Sequence, residues 1–119
     1  MLLAAGALAG CHRGAGQLVA AWVIEPAPLA SGTAATVRVT LRNAGQQPVV
    51  GAHLQLEAHM SHPGMRPVVA SAIERVEGVY EAQLRFTMTG DWVLVLTGTM
   101  RDGTRVTETR TIPGVRPTG

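Results

Sequence analysis

What most limits the fold of this chain is a two-residue alternation of apolar and polar side chains that recurs in segment after segment. In TAATVRVTLRN, Ala35, Val37, Val39 and Leu41 fall on one parity, and Thr36, Arg38, Thr40 and Arg42 on the other. Side chains of an extended strand point alternately to its two faces, so this pattern predicts a sheet with one dry face and one wet face. VVGAHLQLEAHM repeats it, with Ala52, Leu54, Leu56 and Ala58 inward and His53, Gln55, Glu57 and His59 outward. VYEAQLRFTM places Tyr80, Ala82, Leu84, Phe86 and Met88 on its inner parity. LVAAWVIEP is a strand stopped by Pro26 and Pro28, and RPVVASAIERVEG is a weaker one that turns at Glu77-Gly78. DWVLVLTGTM and TRVTETRTI flank Asp102-Gly103, a hairpin signal. No stretch carries a helical period. Seven short strands predict an all-β fold, an immunoglobulin-like antiparallel β-sandwich.

A chain of 119 residues is long enough for one such domain and short for two. All ten basic residues are arginine and the net charge is +2. They are scattered, without a basic run or interleaved aromatics, which argues against nucleic acid as a partner. The single cysteine, Cys11, excludes an internal disulfide framework. It closes MLLAAGALAGC, an apolar run whose Leu-Ala-Gly-Cys ending resembles the lipobox of bacterial lipoproteins, in which the cysteine is lipidated. The run is far below the ~20 apolar residues that span a bilayer, and it lacks the basic n-region of a full secretory signal. Residues 1–10 therefore read as a lipoprotein signal segment, shortened, and residues 11–17 as a tether. Residues 18–112 form the domain and residues 113–119 a C-terminal tail. The expected location is the cell envelope, with the protein anchored to the membrane through lipidated Cys11 and facing the periplasm or the extracytoplasmic side.

One short stretch carries chemistry. HMSHPGM, His59 to Met65, gathers two imidazoles and two thioethers into seven residues. His62-Pro63-Gly64-Met65 fits a type II turn, since proline pre-sets φ at the second position and glycine supplies positive φ at the third. That turn would bring His62 and Met65 together, with His59 and Met60 just upstream. Thioether and imidazole without carboxylate favour Cu(I) over magnesium, calcium or manganese; zinc would usually take thiolate, more histidine or a carboxylate. The candidate ligands are His59, Met60, His62 and Met65. A second reading of Met60 is open, because it shares parity with Leu54, Leu56 and Ala58 and could cap the core. His53 lies roughly 20 Å from His59 along a strand rising ~3.3 Å per residue, and faces water. Met88, Met100 and Trp92 take core parity. No nucleophile elbow, C-x-x-C pair or phosphate-cradling glycine loop occurs, so the expected class is a binding protein and not an enzyme.

GVYEAQLRFTMTGDWVLVLTGTMRDGTRV, Gly78 to Val106, resembles the second half of the FixH/YtkA-like domains of bacterial envelope proteins, with their Gly-x-Tyr strand, Gly-x-Trp turn and final hairpin. EAHMSHPGMRPV resembles that family's Met/His-rich loop. The resemblance covers Leu18 to Ile112 and implies an immunoglobulin-like sandwich. For some members it implies copper handling, with copper-transport or respiratory-oxidase assembly proteins as partners. Carried over by residue, it supports His59, Met60, His62 and Met65. FixH is held to the membrane by a helix, whereas this chain offers Cys11. The other function class is an envelope interaction module that contacts a membrane complex by a sheet face or edge, with no metal involved.

Overall fold

The proline pair that ends the first strand sets the outline of the molecule. In the computed structural model, which describes residues 18–60, 64 and 66–117, β1 (Leu18–Glu25) stops at Pro26. Proline has no N–H to give to a ladder. The chain then crosses to the far end of the last strand, where Ser31 N–H donates to Arg116 O at 2.8 Å and Arg116 N–H donates to Leu29 O at 2.9 Å. Between these two ends run β2 (Ala34–Asn43), β3 (His53–Met60), β4 (Val68–Val76), β5 (Val79–Arg85), β6 (Gly90–Thr99) and β7 (Arg105–Val115). There is no helix among the described residues.

The strands are hydrogen-bonded in the order β1-β2-β5-β4-β3-β6-β7, every neighbouring pair antiparallel. β4 belongs to two layers. Its first half, Val68 to Ala72, pairs with β3, and its second half, from Ile73, pairs with β5. One layer is therefore β1-β2-β5-β4 and the other is β3-β6-β7 with the start of β4. This is the strand order of an immunoglobulin constant-type sandwich. The predicted fold is the observed one.

Alternation and burial agree closely. Val37, Val39 and Leu41 of β2, Leu54, Leu56 and Ala58 of β3, Tyr80, Ala82 and Leu84 of β5, and Trp92, Leu94 and Leu96 of β6 are all buried in one core. Each large apolar side chain so placed contributes about 1.5–3 kcal/mol relative to exposure. Phe86 and Trp92 meet edge-to-face at 5.3 Å and 72°, a favoured ring geometry. The edge strand β7 breaks its inward row with Glu108 and Arg110, opposite Leu96 and Leu94. Charge on that side discourages another chain from adding to the edge.

Two expectations need correction. Met88 is not core: β5 ends at Arg85, and Met88 stands 42% exposed in the turn to β6. Strand parity has no meaning once the strand has ended. β7 also runs past Ile112 to Val115, which is buried and pairs with Gly90. Pro113 is tolerated there because it lies on an edge strand, beside the irregular register between Gly90 and Trp92.

Candidate metal site at the end of β3

Three polar side chains line the outer face of β3. Gln55 Nε2 donates to Glu57 Oε2 at 3.0 Å, and His59 Nε2 lies 2.8 Å from Glu57 Oε1. Residues two apart on a strand share a face, so the sequence Gln-x-Glu-x-His places them in a row. A carboxylate oxygen accepts, so in the neutral imidazole tautomer that donates Nε2–H to Glu57 the lone pair is on Nδ1, where a metal could bind. Metal-binding histidines are commonly held in this way, one ring N–H on a carboxylate and the other nitrogen on the ion. Both groups keep contact with water, with 42% of the His59 side chain and 28% of the Glu57 side chain exposed. Val93 of β6 stands beside His59 in the ladder, and Val69 of β4 beside Glu57.

Met60, the next residue, points the other way. It pairs with Trp92 across the ladder and packs, half-buried, against the core. Its Cε lies 3.2 Å from where a Cβ on Gly90 would stand, so the bare backbone of Gly90 leaves room for the thioether. This matches the gap-filling reading of Met60. Within the strand, then, His59 and Met60 occupy opposite faces and are not brought together. Any shared ion would lie beyond the strand end, where the ladder stops at Met60 and Trp92.

His62, Pro63 and Met65 fall outside the described residues, as does Cys11. Gly64 is described: it is exposed, with φ of 82°, the value that the third position of a type II turn requires. His53 sits exposed at the opposite end of β3, paired with Thr99, and does not join the others. It borders an open depression of about 680 Å³ at the fork where β4 leaves β3, together with Gln55, Ser71, Glu74 and Gly98. Among the described residues, no group of three or more His, Cys, Asp or Glu side chains could hold a metal ion.

Sequence reasoning missed two features. Met88 reaches the surface at the same end as Met60, its carbonyl taking the Trp92 indole N–H at 2.9 Å. The signal was Thr89-Gly90, a turn that ends the strand before Met88. Glu74 carries no local sequence signal of its role. Its Oε1 accepts from Gly51 N–H and its Oε2 from Gly78 N–H, each at 3.0 Å. The Gly78 bond, foremost, lowers its pKa. Beside it the buried Tyr80 hydroxyl donates to Val49 O at 2.7 Å and accepts from Ala52 N–H at 3.0 Å. Together these two side chains fasten the β2–β3 connection to the sandwich.

The family model described as YtkA-like matches residues 17–97, from the start of β1 to well inside β6. The chain belongs to the YtkA-like family. The matched span includes the whole His59 to Met65 stretch and the Trp92 turn. No match was found among curated proteins. Among solved structures, MtrC from Shewanella baltica OS185 is similar, with a TM-score of 0.51 and 14% sequence identity. That similarity covers 87% of this chain and 23% of MtrC. At such identity it speaks for a shared fold alone. No helix among the described residues is long and apolar enough to cross a membrane.

Proposed function

We propose that this YtkA-like domain binds Cu(I) at the end of β3, and that it does so as a lipid-anchored protein of the cell envelope. The observation that carries the reading is the Glu57–His59 pair at 2.8 Å. It presents an oriented imidazole one residue before a thioether and three before the next histidine. Nδ1 of His59, Sδ of Met60 and of Met65, and an imidazole nitrogen of His62 form the ligand set. It is soft to borderline, and suited to Cu(I). The role is to hold and pass on the ion, with copper-transport or respiratory-oxidase assembly proteins as partners. Thioether ligands fit an exported protein, because they cannot be lost to disulfides, although they can be oxidised to the sulfoxide.

X-ray absorption of the Cys11→Ser chain, loaded anaerobically with one equivalent of Cu(I), tests the ligand set. Sulfur and imidazole nitrogen in the same shell are expected. A shell of light atoms alone would contradict it. A second reading has its own observation. Val69 and Val93 stand 52% and 39% exposed beside the Glu57–His59 pair, as an apolar contact surface for an envelope partner would. In that reading the domain docks by its sheet face and the loop binds no metal.

A further inference from the structure

We propose that β1 is the docking edge of this domain and that its occupant is β1 of a second copy, paired antiparallel about a twofold axis at Ala21. The two edge strands differ in how they are protected. β7 carries Glu108 and Arg110 in its inward row and Pro113 near its end, and Ala30 bridges to Arg116 just beyond it. β1 has no such protection from Leu18 to Ile24, where all seven residues are apolar. An edge of that kind is a template for another strand. Its inward row, Leu18, Ala20, Trp22 and Ile24, is only half-buried, although the neighbouring row of the same layer, Val37, Val39 and Leu41, is fully enclosed. On the outer face Val19 and Val23 stand 53% and 48% exposed. Both faces of β1 therefore end in incompletely covered apolar rows.

The ladder fixes which backbone groups face the open edge. Leu41 N–H donates to Gly78 O at 2.8 Å and Leu41 O accepts from Val49 N–H at 3.0 Å, so both groups point away from β1. Facing residues of an antiparallel pair either exchange hydrogen bonds or both turn them outward, in alternation. Ala20, opposite Leu41, therefore turns its N–H and C=O to the open edge, and Leu18, Trp22 and Ile24 do the same. A second β1 centred on Ala21 sets Ala20 against Trp22 and Leu18 against Ile24 as hydrogen-bonded pairs. Val19 faces Val23, and Ala21 faces its own copy. Every pair is apolar, a small residue meets the large indole, and no like charges oppose each other. Moving the axis to Trp22 would set the two indoles against each other and place Leu18 opposite Pro26, which has no N–H to give. This self-complementarity points to a second copy and not to a strand of another protein. A contact of this type closes at two copies, joining the two β1-β2-β5-β4 layers into one sheet.

Sedimentation equilibrium of the full chain with Cys11→Ser, in which no intermolecular disulfide can form, tests the pairing. As concentration rises the parent should move from 12.5 kDa to twice that mass. Ala21→Lys changes an exposed side chain and puts two ammonium groups face to face across the axis. It should stay at the monomer mass with an unchanged circular dichroism spectrum. Ala21→Glu should also stay monomeric, and an equimolar mixture of the two variants should return to twice the monomer mass. Val93→Lys, exposed on the other layer, should dimerise as the parent does. A parent that remains at 12.5 kDa throughout would overturn the proposal and leave the β1 edge to a strand of another protein. It would equally be overturned if both Ala21 variants dimerised like the parent, or if their mixture stayed monomeric.

Discussion

Trp92 donates its indole N–H to the carbonyl oxygen of Met88 at 2.9 Å, reaching back over the turn between β5 and β6. The same ring packs edge-to-face on Phe86 and faces Met60 in the ladder. Trp92→Phe would remove the donor, leave the Met88 carbonyl without it and open a gap beside Met60. We expect a loss of about 2–4 kcal/mol, combining a missing hydrogen bond with incomplete filling of the core. Met88→Leu, changing only an exposed side chain, should stay within about 0.5 kcal/mol. Urea denaturation of the two variants against the parent checks the ranking.

How much of this was legible beforehand depends on how local the cause is. Period two identified the buried rows of β2, β3, β5 and β6 residue by residue, because every second side chain of those strands enters the core. β4 was faint for a physical reason. Its inward residues Val68, Ala70 and Ala72 are only half-buried, its outward ones include exposed Val69 and Ile73, and it changes layer after Ala72. The crossing from Leu29–Ser31 to Arg116 joins distant parts of the chain and leaves no local pattern. At the candidate site, the spacing of Glu57 and His59 put them on one face, but nothing in it announced a hydrogen bond. Met88 escapes the parity of β5 because that strand ends at Arg85 and the turn beyond it follows no such rule.

Close approach of β3 and β6 makes Gly98 irreplaceable. A Cβ there would fall on the carbonyl oxygen of His53, and backbone cannot step aside as a flexible side chain can. Gly98→Ala should cost about 3 kcal/mol, the upper range for overpacking. Gly103 in the β6–β7 hairpin, with φ of 89° and nothing within 4 Å of its Cβ position, is the comparison. Gly103→Ala should cost about 1–2 kcal/mol, from its left-handed backbone alone. Equal losses in thermal unfolding would show that the His53 contact is not the cause.

Glu74 should make stability depend on pH in one direction. Its carboxylate accepts from Gly78 and Gly51, which lowers its pKa below the ordinary 4.5. The folded state therefore binds this proton less readily than the unfolded state does. The stabilisation is present above pH 4.5 and is lost as pH falls through the lowered folded value. Glu74→Gln cannot accept from both glycines and should be less stable near neutrality, with a flatter profile over the interval on the acid side of pH 4.5. Urea midpoints across that interval measure both effects, and parallel profiles would remove Glu74 as their source.

Lipid anchoring is tested at Cys11. In a bacterial host that processes lipoproteins, a precursor with a full signal ahead of this chain should be recovered in the membrane fraction with the mass of an acylated cysteine. Cys11→Ser should release it from that fraction without acylation. Unchanged mass and unchanged membrane recovery in the variant would rule out attachment through this cysteine.

The copper reading meets its most direct test in an anaerobic competition titration, with Cu(I) shared between the Cys11→Ser chain and a chromogenic chelator. One equivalent should be withdrawn from the chelator, and Zn(II) should not displace it, since thioethers favour the softer ion. Met65→Leu and His62→Ala should each weaken the binding, with stability changed by less than about 1.5 kcal/mol. His53→Ala, at the far end of β3, should leave the curve unchanged. A parent protein that withdraws no more Cu(I) than the His59→Ala/Met60→Leu/His62→Ala/Met65→Leu variant would contradict the copper site.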